Sequence, residues 1–131
     1  MEEKVNSLFE KSIALKRKCI NQGLGSIVRM GDAIVESILN GGKLLLCGNG
    51  GSAADAQHFA AELVVRLRSS HNRRGLPAIA LAKDTSTLTA CGNDYSYDLL
   101  FARTLESIGK PEDCLLCLTT SGNSANIINA M

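Results

Sequence analysis

Lys43-Leu44-Leu45-Leu46-Cys47 runs straight into Gly48-Asn49-Gly50-Gly51-Ser52, and Ala53-Ala54-Asp55-Ala56-Gln57-His58-Phe59-Ala60-Ala61-Glu62-Leu63 follows at once. The first segment is an apolar run of strand length, the last is rich in helix formers, and glycine dominates the joint. Strand, glycine-rich turn and helix N-terminus in that order make an anion site. The glycines let the backbone approach a ligand closely, and unpaired N–H groups of the first helical turn point at it. A second junction of this kind is Leu115-Leu116-Cys117-Leu118 followed by Thr119-Thr120-Ser121-Gly122-Asn123-Ser124.

Outward from these junctions the pattern alternates. Upstream, Val5, Leu8, Phe9, Ile13, Leu15, Cys19 and Ile20 keep helical spacing from Glu3 to about Asn21, and a second helix is expected from about Gly25 to Leu39. Asn40-Gly41-Gly42 ends it. Downstream, a helix is expected from about Ser52 to Arg68, then a polar, basic loop from Ser69 to Gly75. Leu76 to Leu81 reads as a second buried strand, with Pro77 tolerated at its start. Asp84-Thr85-Ser86 is an N-cap for a short helix to about Cys91, and Gly92-Asn93-Asp94 breaks the chain again. A helix from about Ser96 to Ile108, a third strand at Cys114 to Leu118 and a last helix from Ser124 to Met131 complete the reading.

Strands alternating with helices predict an α/β fold: a parallel sheet flanked by helices, with the first two helices as an N-terminal arm. One domain is expected over residues 1–131, its arm at about 1–40 and its ligand-binding α/β part at about 43–131. Ligands of such sheets bind at the carboxyl ends of the strands, where both Ser/Gly loops and Gly92-Asn93-Asp94 are expected. With three strands and a short final helix, the chain reads as ending partway through its fold.

Composition narrows the class. Hydrophobic residues make up 45% of the 131, enough for a packed core. A net charge of +1 makes a nucleic-acid partner unlikely on this reading, since a dedicated binding surface needs a strong basic bias. Arg66, Arg68, Arg73 and Arg74 do cluster around one loop; a solvated loop beside a helix is preferred to a local patch as their explanation. No apolar run approaches the ~20 residues of a membrane span. Met1-Glu2-Glu3-Lys4 opens a charged segment without the apolar stretch of a signal peptide, and 5 cysteines, an odd count, fit a reduced, cytoplasmic setting. Cys114 and Cys117 form a C-x-x-C, but in a strand these positions face opposite ways, so they are read as core residues.

Gly48-x-Gly50-x-x-Ala53 matches a relaxed dinucleotide fingerprint, yet the acidic partner expected ~20 residues on is misplaced, Asp84 falling later. No Gly-Lys-Ser/Thr is present, so Walker-type nucleotide binding fails. A phosphosugar fits better. Thr119, Thr120, Ser121 and Ser124 offer hydroxyls around one phosphate, although a Ser/Thr turn capping its own helix would explain one of them. His58 and Glu62, four apart on one helix face, could bind a divalent metal or move protons. Asp55 lies one turn earlier. On the residues alone the plainer reading is preferred, Glu62 pairing with Arg66 while His58 bonds locally.

These residues closely resemble the phosphoheptose isomerases of the sugar-isomerase (SIS) fold. Cys47 to Leu63, Leu76-Pro77-Ala78-Ile79-Ala80-Leu81, Gly92-Asn93-Asp94-Tyr95 and Thr119 to Asn126 are similar to four family signatures, in order and at matching spacings. The resemblance covers essentially the whole chain. It implies conversion of sedoheptulose 7-phosphate to D-glycero-D-manno-heptose 7-phosphate through an enediol, for lipopolysaccharide and other surface-polysaccharide biosynthesis. By the same resemblance Glu62 is the acid/base and a zinc contact, and His58 is a zinc ligand. Asn49, Gly50, Gly51, Ser52, Asn93 and Asp94 would contact the sugar, and Thr119, Thr120, Ser121 and Ser124 the phosphate. Thr119 stands where serine is usual.

The family is homotetrameric, with sites at subunit contacts. Its members run on into further strands and a final helix whose glutamine and histidine complete the site, so residues 1–131 alone are expected to show little or no activity. A non-catalytic SIS protein that binds the replication initiator is the alternative, but Gly51, Asp55 and Glu62 follow the enzyme pattern.

Overall fold

The structure, a computed structural model, describes residues 1–81 and 84–131. The chain divides into two compact units, 1–33 and 34–131. In the first, α1 (Glu2–Gln22) places none of its side chains in a core, and the start of α2 (Gly25–Leu39) follows a turn at Gly23. The apolar residues whose spacing makes α1 amphipathic stay exposed, Leu8 at 59% and Phe9 at 66%. As expected, α2 stops at Asn40-Gly41-Gly42, where the Gly42 N–H bonds the Ser37 carbonyl and the Gly41 N–H that of Ile38.

The second unit is built on β1 (Leu44–Gly48), β2 (Ala78–Ala80) and β3 (Cys114–Leu118). They form a parallel sheet in the order β2-β1-β3, with Leu45 opposite Ile79 on one side and Leu115 on the other. The all-apolar run of β1 is explained by its central place, since both its faces are covered. Leu44 and Leu46 pack with Ala56 and Ala60 of α3 (Gly51–Val64) on one face. Leu45 and Cys47 pack on the other with Cys91, Leu100, Phe101 and Ile127. Those come from α4 (Thr85–Asp94), α5 (Leu100–Ile108) and α6 (Ala125–Ile128). Leu44, Leu45 and Leu46 are wholly buried, so truncating any one to Ala would cost about 2–5 kcal/mol.

The C-x-x-C residues divide as period two requires, Cys114 packing against one core cluster and Cys117 against the other. Their strand is half-buried, because β3 lies at a sheet edge. The Cys47 and Cys117 sulfurs are 3.5 Å apart across the β1–β3 pair. Burial, with the Cys117 contact, pushes the Cys47 thiol up to about 12, so it is an inert core group.

Several element bounds differ from the sequence reading, each for a local reason. Helix α3 ends at Val64, not Arg68, because the returning loop takes its last carbonyls. The Arg73 guanidinium donates to the Glu62 and Leu63 carbonyls at 2.8 and 2.7 Å, and the Leu76 N–H bonds the Leu63 carbonyl. Strand β2 is shorter than Leu76–Leu81, since Pro77 has no N–H to pair and the Leu76 N–H is already engaged. Gly92, Asn93 and Asp94 continue α4 instead of breaking it: Asp84 caps the helix at the Thr87 N–H, Cys91 anchors it in the core, and the chain leaves it only at Tyr95. The stretch from Ser96 is first a 3₁₀ turn, Tyr97–Leu99, capped by the Ser96 hydroxyl on the Asp98 N–H, and only then α5. The last helix keeps only Ala125–Ile128, ending in tight turns at Ala130 and Met131.

Candidate functional site

β1 is flanked by β2 on one side and β3 on the other, so the chain leaves its carboxyl end in one direction and returns on the opposite side. The loops after β1 and β3 diverge there and leave a crevice, the usual place for a ligand in an open parallel sheet. It is lined by Asn49 and Ser52 from the first loop and Thr119, Thr120, Ser121 and Ser124 from the second, with a volume of about 50 Å³. One ordered water occupies ~30 Å³ of liquid, so the crevice suits an oxyanion and not a whole sugar. The two glycine-rich junctions of the sequence thus meet in one place.

Local chemistry shapes each wall. A Cβ on Gly48 would sit 2.6 Å from the Ser52 carbonyl oxygen, so only glycine lets the first turn of α3 fold back this closely on the end of β1. Gly50 takes φ +55° at the head of α3, where the Ser52 and Ala53 N–H groups turn back to the Asn49 and Gly50 carbonyls. Among the described residues, the Gly51 N–H of that first turn has no partner and is left for a ligand. In the second loop, the Thr119 hydroxyl oxygen accepts from the Gly122 N–H at 3.1 Å and that of Ser121 from the Asn123 N–H at 3.2 Å. Each hydroxyl is thereby fixed through a lone pair while its proton stays free to donate. Ser124 precedes α6 without capping it by its side chain, so the self-capping explanation fails at the residue where it applied best.

The His58–Glu62 pair is elsewhere. His58 Nε2 and Glu62 Oε1 are 2.9 Å apart on the solvent side of α3, where they line a separate cavity of about 520 Å³ with Asp55 and Phe59. Glu62 therefore pairs with His58, and Arg66 lies beyond the helix end. Ten helical residues at ~1.5 Å rise put Ser52 and Glu62 about 15 Å apart. Imidazole nitrogen and carboxylate oxygen are both zinc donors, and two neighbouring donors fit part of a zinc site. A catalytic zinc takes three protein ligands, and among the described residues no trio of His, Cys, Asp and Glu gathers to hold one.

Asn93 and Asp94, expected at the sugar, bond to each other at 2.7 Å in the last turn of α4 and do not line the crevice. Two residues that do shape it were not singled out in the sequence. Asn126, 2% exposed, exchanges side-chain hydrogen bonds with Asn49, and the Tyr97 hydroxyl donates to Asn49 Oδ1 at 2.9 Å. Asn126 had a signal, being a polar residue within the second loop motif at a core-facing position. Tyr97 had none. The basic loop resolves as structure at Arg73, whose guanidinium is spent on the carbonyls of α3.

Comparison with known proteins points one way. The SIS domain family matches residues 8–131. A phosphoheptose isomerase from Roseiflexus sp. (strain RS-1) is 55% identical over 123 residues, covering 94% of this chain and 61% of the relative. One from Chlorobaculum parvum (strain DSM 263 / NCIMB 8327) is 53% identical over 130 residues, 99% of this chain and 62% of its own length. The structure of a phosphoheptose isomerase from Francisella tularensis superposes with a TM-score of 0.90 at 43% identity, over 98% of this chain and 66% of that one. The corresponding enzyme from Neisseria gonorrhoeae gives 0.85 at 42% identity, with the same coverage. The chain thus spans a little under two thirds of the length of these relatives. No described helix is long and apolar enough to cross a membrane.

Proposed function

Since the chain belongs to the SIS domain family across residues 8–131, we propose that it serves as a phosphoheptose isomerase, interconverting sedoheptulose 7-phosphate and D-glycero-D-manno-heptose 7-phosphate. The observation that carries this reading is the oxyanion-sized crevice between Asn49–Ser52 and Thr119–Ser124, with hydroxyl protons unspent. Thr119, Thr120, Ser121 and Ser124 hold the phosphate, with the Gly51 N–H at the head of α3. Anchoring that end fixes the reacting carbons, which lowers the entropic part of the barrier. Gly50, Gly51 and Asn49 meet the sugar from the first loop, with Asn93 and Asp94 reaching it from the end of α4.

The proton chemistry falls to Glu62. Its carboxylate takes a proton from C1 of the ketose, the C1–H electron pair forms the C1=C2 bond of an enediol, and O2 gains a proton. Return of a proton to C2 and loss of the O1 proton leave the C1 aldehyde. His58 and Glu62 would supply two ligands to a zinc ion, which when bound polarises the substrate oxygens. Ser52 and Glu62 lie about 15 Å apart along α3, and the His58–Glu62 pair lines a cavity separate from the phosphate crevice. A homotetramer, in which the crevice of one copy meets the His58–Glu62 face of another, answers this separation, and the exposed apolar stripe of α1 offers a surface for it.

Glu62→Gln tests the role directly. In the complete protein, whose unsubstituted form should place deuterium at C2 from deuterated water, Glu62→Gln should bind sedoheptulose 7-phosphate yet place none there. Near-normal incorporation by Glu62→Gln would sink the assignment.

A further inference from the structure

The two loops of the crevice are tied together by a reciprocal amide pair. Asn49 Nδ2 donates to Asn126 Oδ1, and Asn126 Nδ2 donates to Asn49 Oδ1, both at 2.9 Å. The Tyr97 hydroxyl gives the same Asn49 oxygen a second hydrogen bond at 2.9 Å. An amide oxygen accepts through two lone pairs and an amide nitrogen carries two N–H bonds. The oxygen of Asn49 is therefore filled, and its nitrogen keeps one N–H. Asn49 lines the crevice, whereas Asn126 is 2% exposed and is not among the crevice-lining residues. A buried amide is costly unless paired, and among the described residues the Asn126 side chain is paired with Asn49 alone.

We propose that Asn126, assisted by Tyr97, is a positioning residue that fixes which end of the Asn49 amide faces the ligand. With the oxygen committed, Asn49 can act toward the crevice only as a hydrogen-bond donor. Its partner is then an oxygen of the sugar where the carbon chain leaves the phosphate held in the crevice, a carbonyl or a hydroxyl accepting the bond. The same pair holds the β1 and β3 loops in register, so the donor stays at a fixed distance from the phosphate hydroxyls. This role rests on the phosphosugar reading above and adds to it a residue outside the ligand's reach.

Two variants and two probes separate a positioning role from a structural one. Tyr97→Phe alters a half-exposed side chain and leaves the core intact; Asn126→Leu keeps the buried volume and removes both amide bonds. Calorimetric titrations would use sedoheptulose 7-phosphate and inorganic phosphate, with urea unfolding alongside. Asn126→Leu should weaken the sugar phosphate about tenfold and Tyr97→Phe about threefold, the scale of one neutral hydrogen bond. Inorganic phosphate should bind all three proteins alike, since the Thr119–Ser124 loop holds it. Equal weakening of both probes, or sugar-phosphate affinity unchanged in both variants, would overturn the positioning role and leave the phosphosugar reading standing. An unsubstituted chain that takes up neither probe would remove that reading and this one together.

Discussion

Lys43 Nζ and Asp113 Oδ2 meet at 2.6 Å across 70 residues, joining the residue before β1 to the residue before β3. Asp113 Oδ1 also accepts from the Lys43 N–H at 2.9 Å, and its other oxygen from the Lys110 N–H at 2.8 Å. One carboxylate thus sets the register at the foot of the strand pair whose opposite end carries the crevice.

Burial alone would raise the Asp113 pKa, but the hydrogen bonds and charge of Lys43, with the Lys110 N–H, outweigh it and hold the carboxyl below its ordinary 3.8. A group whose folded pKa is depressed binds fewer protons when folded. Its stabilisation is therefore complete above the unfolded value and drains away as pH falls through the folded one. Asp113→Asn should cost about 2 kcal/mol at neutral pH and flatten the loss of stability below pH ~4. Urea unfolding across pH checks it; parallel acid limbs for the two proteins would show that Asp113 is not the titrating support.

Gly48→Ala should damage the site through the backbone. The added Cβ would press on the Ser52 carbonyl, and neither strand nor helix can yield without moving the first loop. The expected destabilisation is about 1–3 kcal/mol, the usual cost of overpacking, together with weakened phosphate binding. A crystal structure of the variant with the loop unmoved would refute the close-approach argument.

Arg73 and Arg74 are neighbours with different fates. Arg73→Ala removes three hydrogen bonds that reach the carbonyls of Glu62, Leu63 and Arg74, and should cost about 1 kcal/mol and fray the end of α3. Arg74→Ala should stay within about 0.5 kcal/mol, as exposed substitutions do. Thermal melts of the two proteins decide between this and a uniform basic patch, for which both changes would be equally mild.

Much of this was legible in the residues. The apolar run Leu44–Cys47 and the glycines after it gave the central strand and its loop, because both depend on local composition and on the absence of a side chain. The convergence of Thr119–Ser124 on the same crevice followed from βα alternation, since parallel strands bring their carboxyl ends together. What stayed hidden depends on distant partners. Helix α3 stops at Val64 only because Arg73 returns to its end, and the extension of α4 through Asp94 depends on Cys91 finding the core. Asn126 was visible as a polar residue at the start of the last helix, but its role could not be read until Asn49 appeared opposite it. The spacing that placed His58 beside Glu62 was right for a helix face, while their distance from the crevice follows from the length of the helix.

The central claim is that the crevice between Asn49–Ser52 and Thr119–Ser124 holds the phosphate of a seven-carbon sugar. The most direct test is a paired titration of the protein with sedoheptulose 7-phosphate and with unphosphorylated sedoheptulose, repeated on Ser124→Ala. The account predicts binding of the phosphorylated sugar only, weakened about tenfold by the loss of the Ser124 hydroxyl, in keeping with one charge-assisted hydrogen bond. Equal binding of the two sugars, or an unchanged affinity in Ser124→Ala, would contradict it.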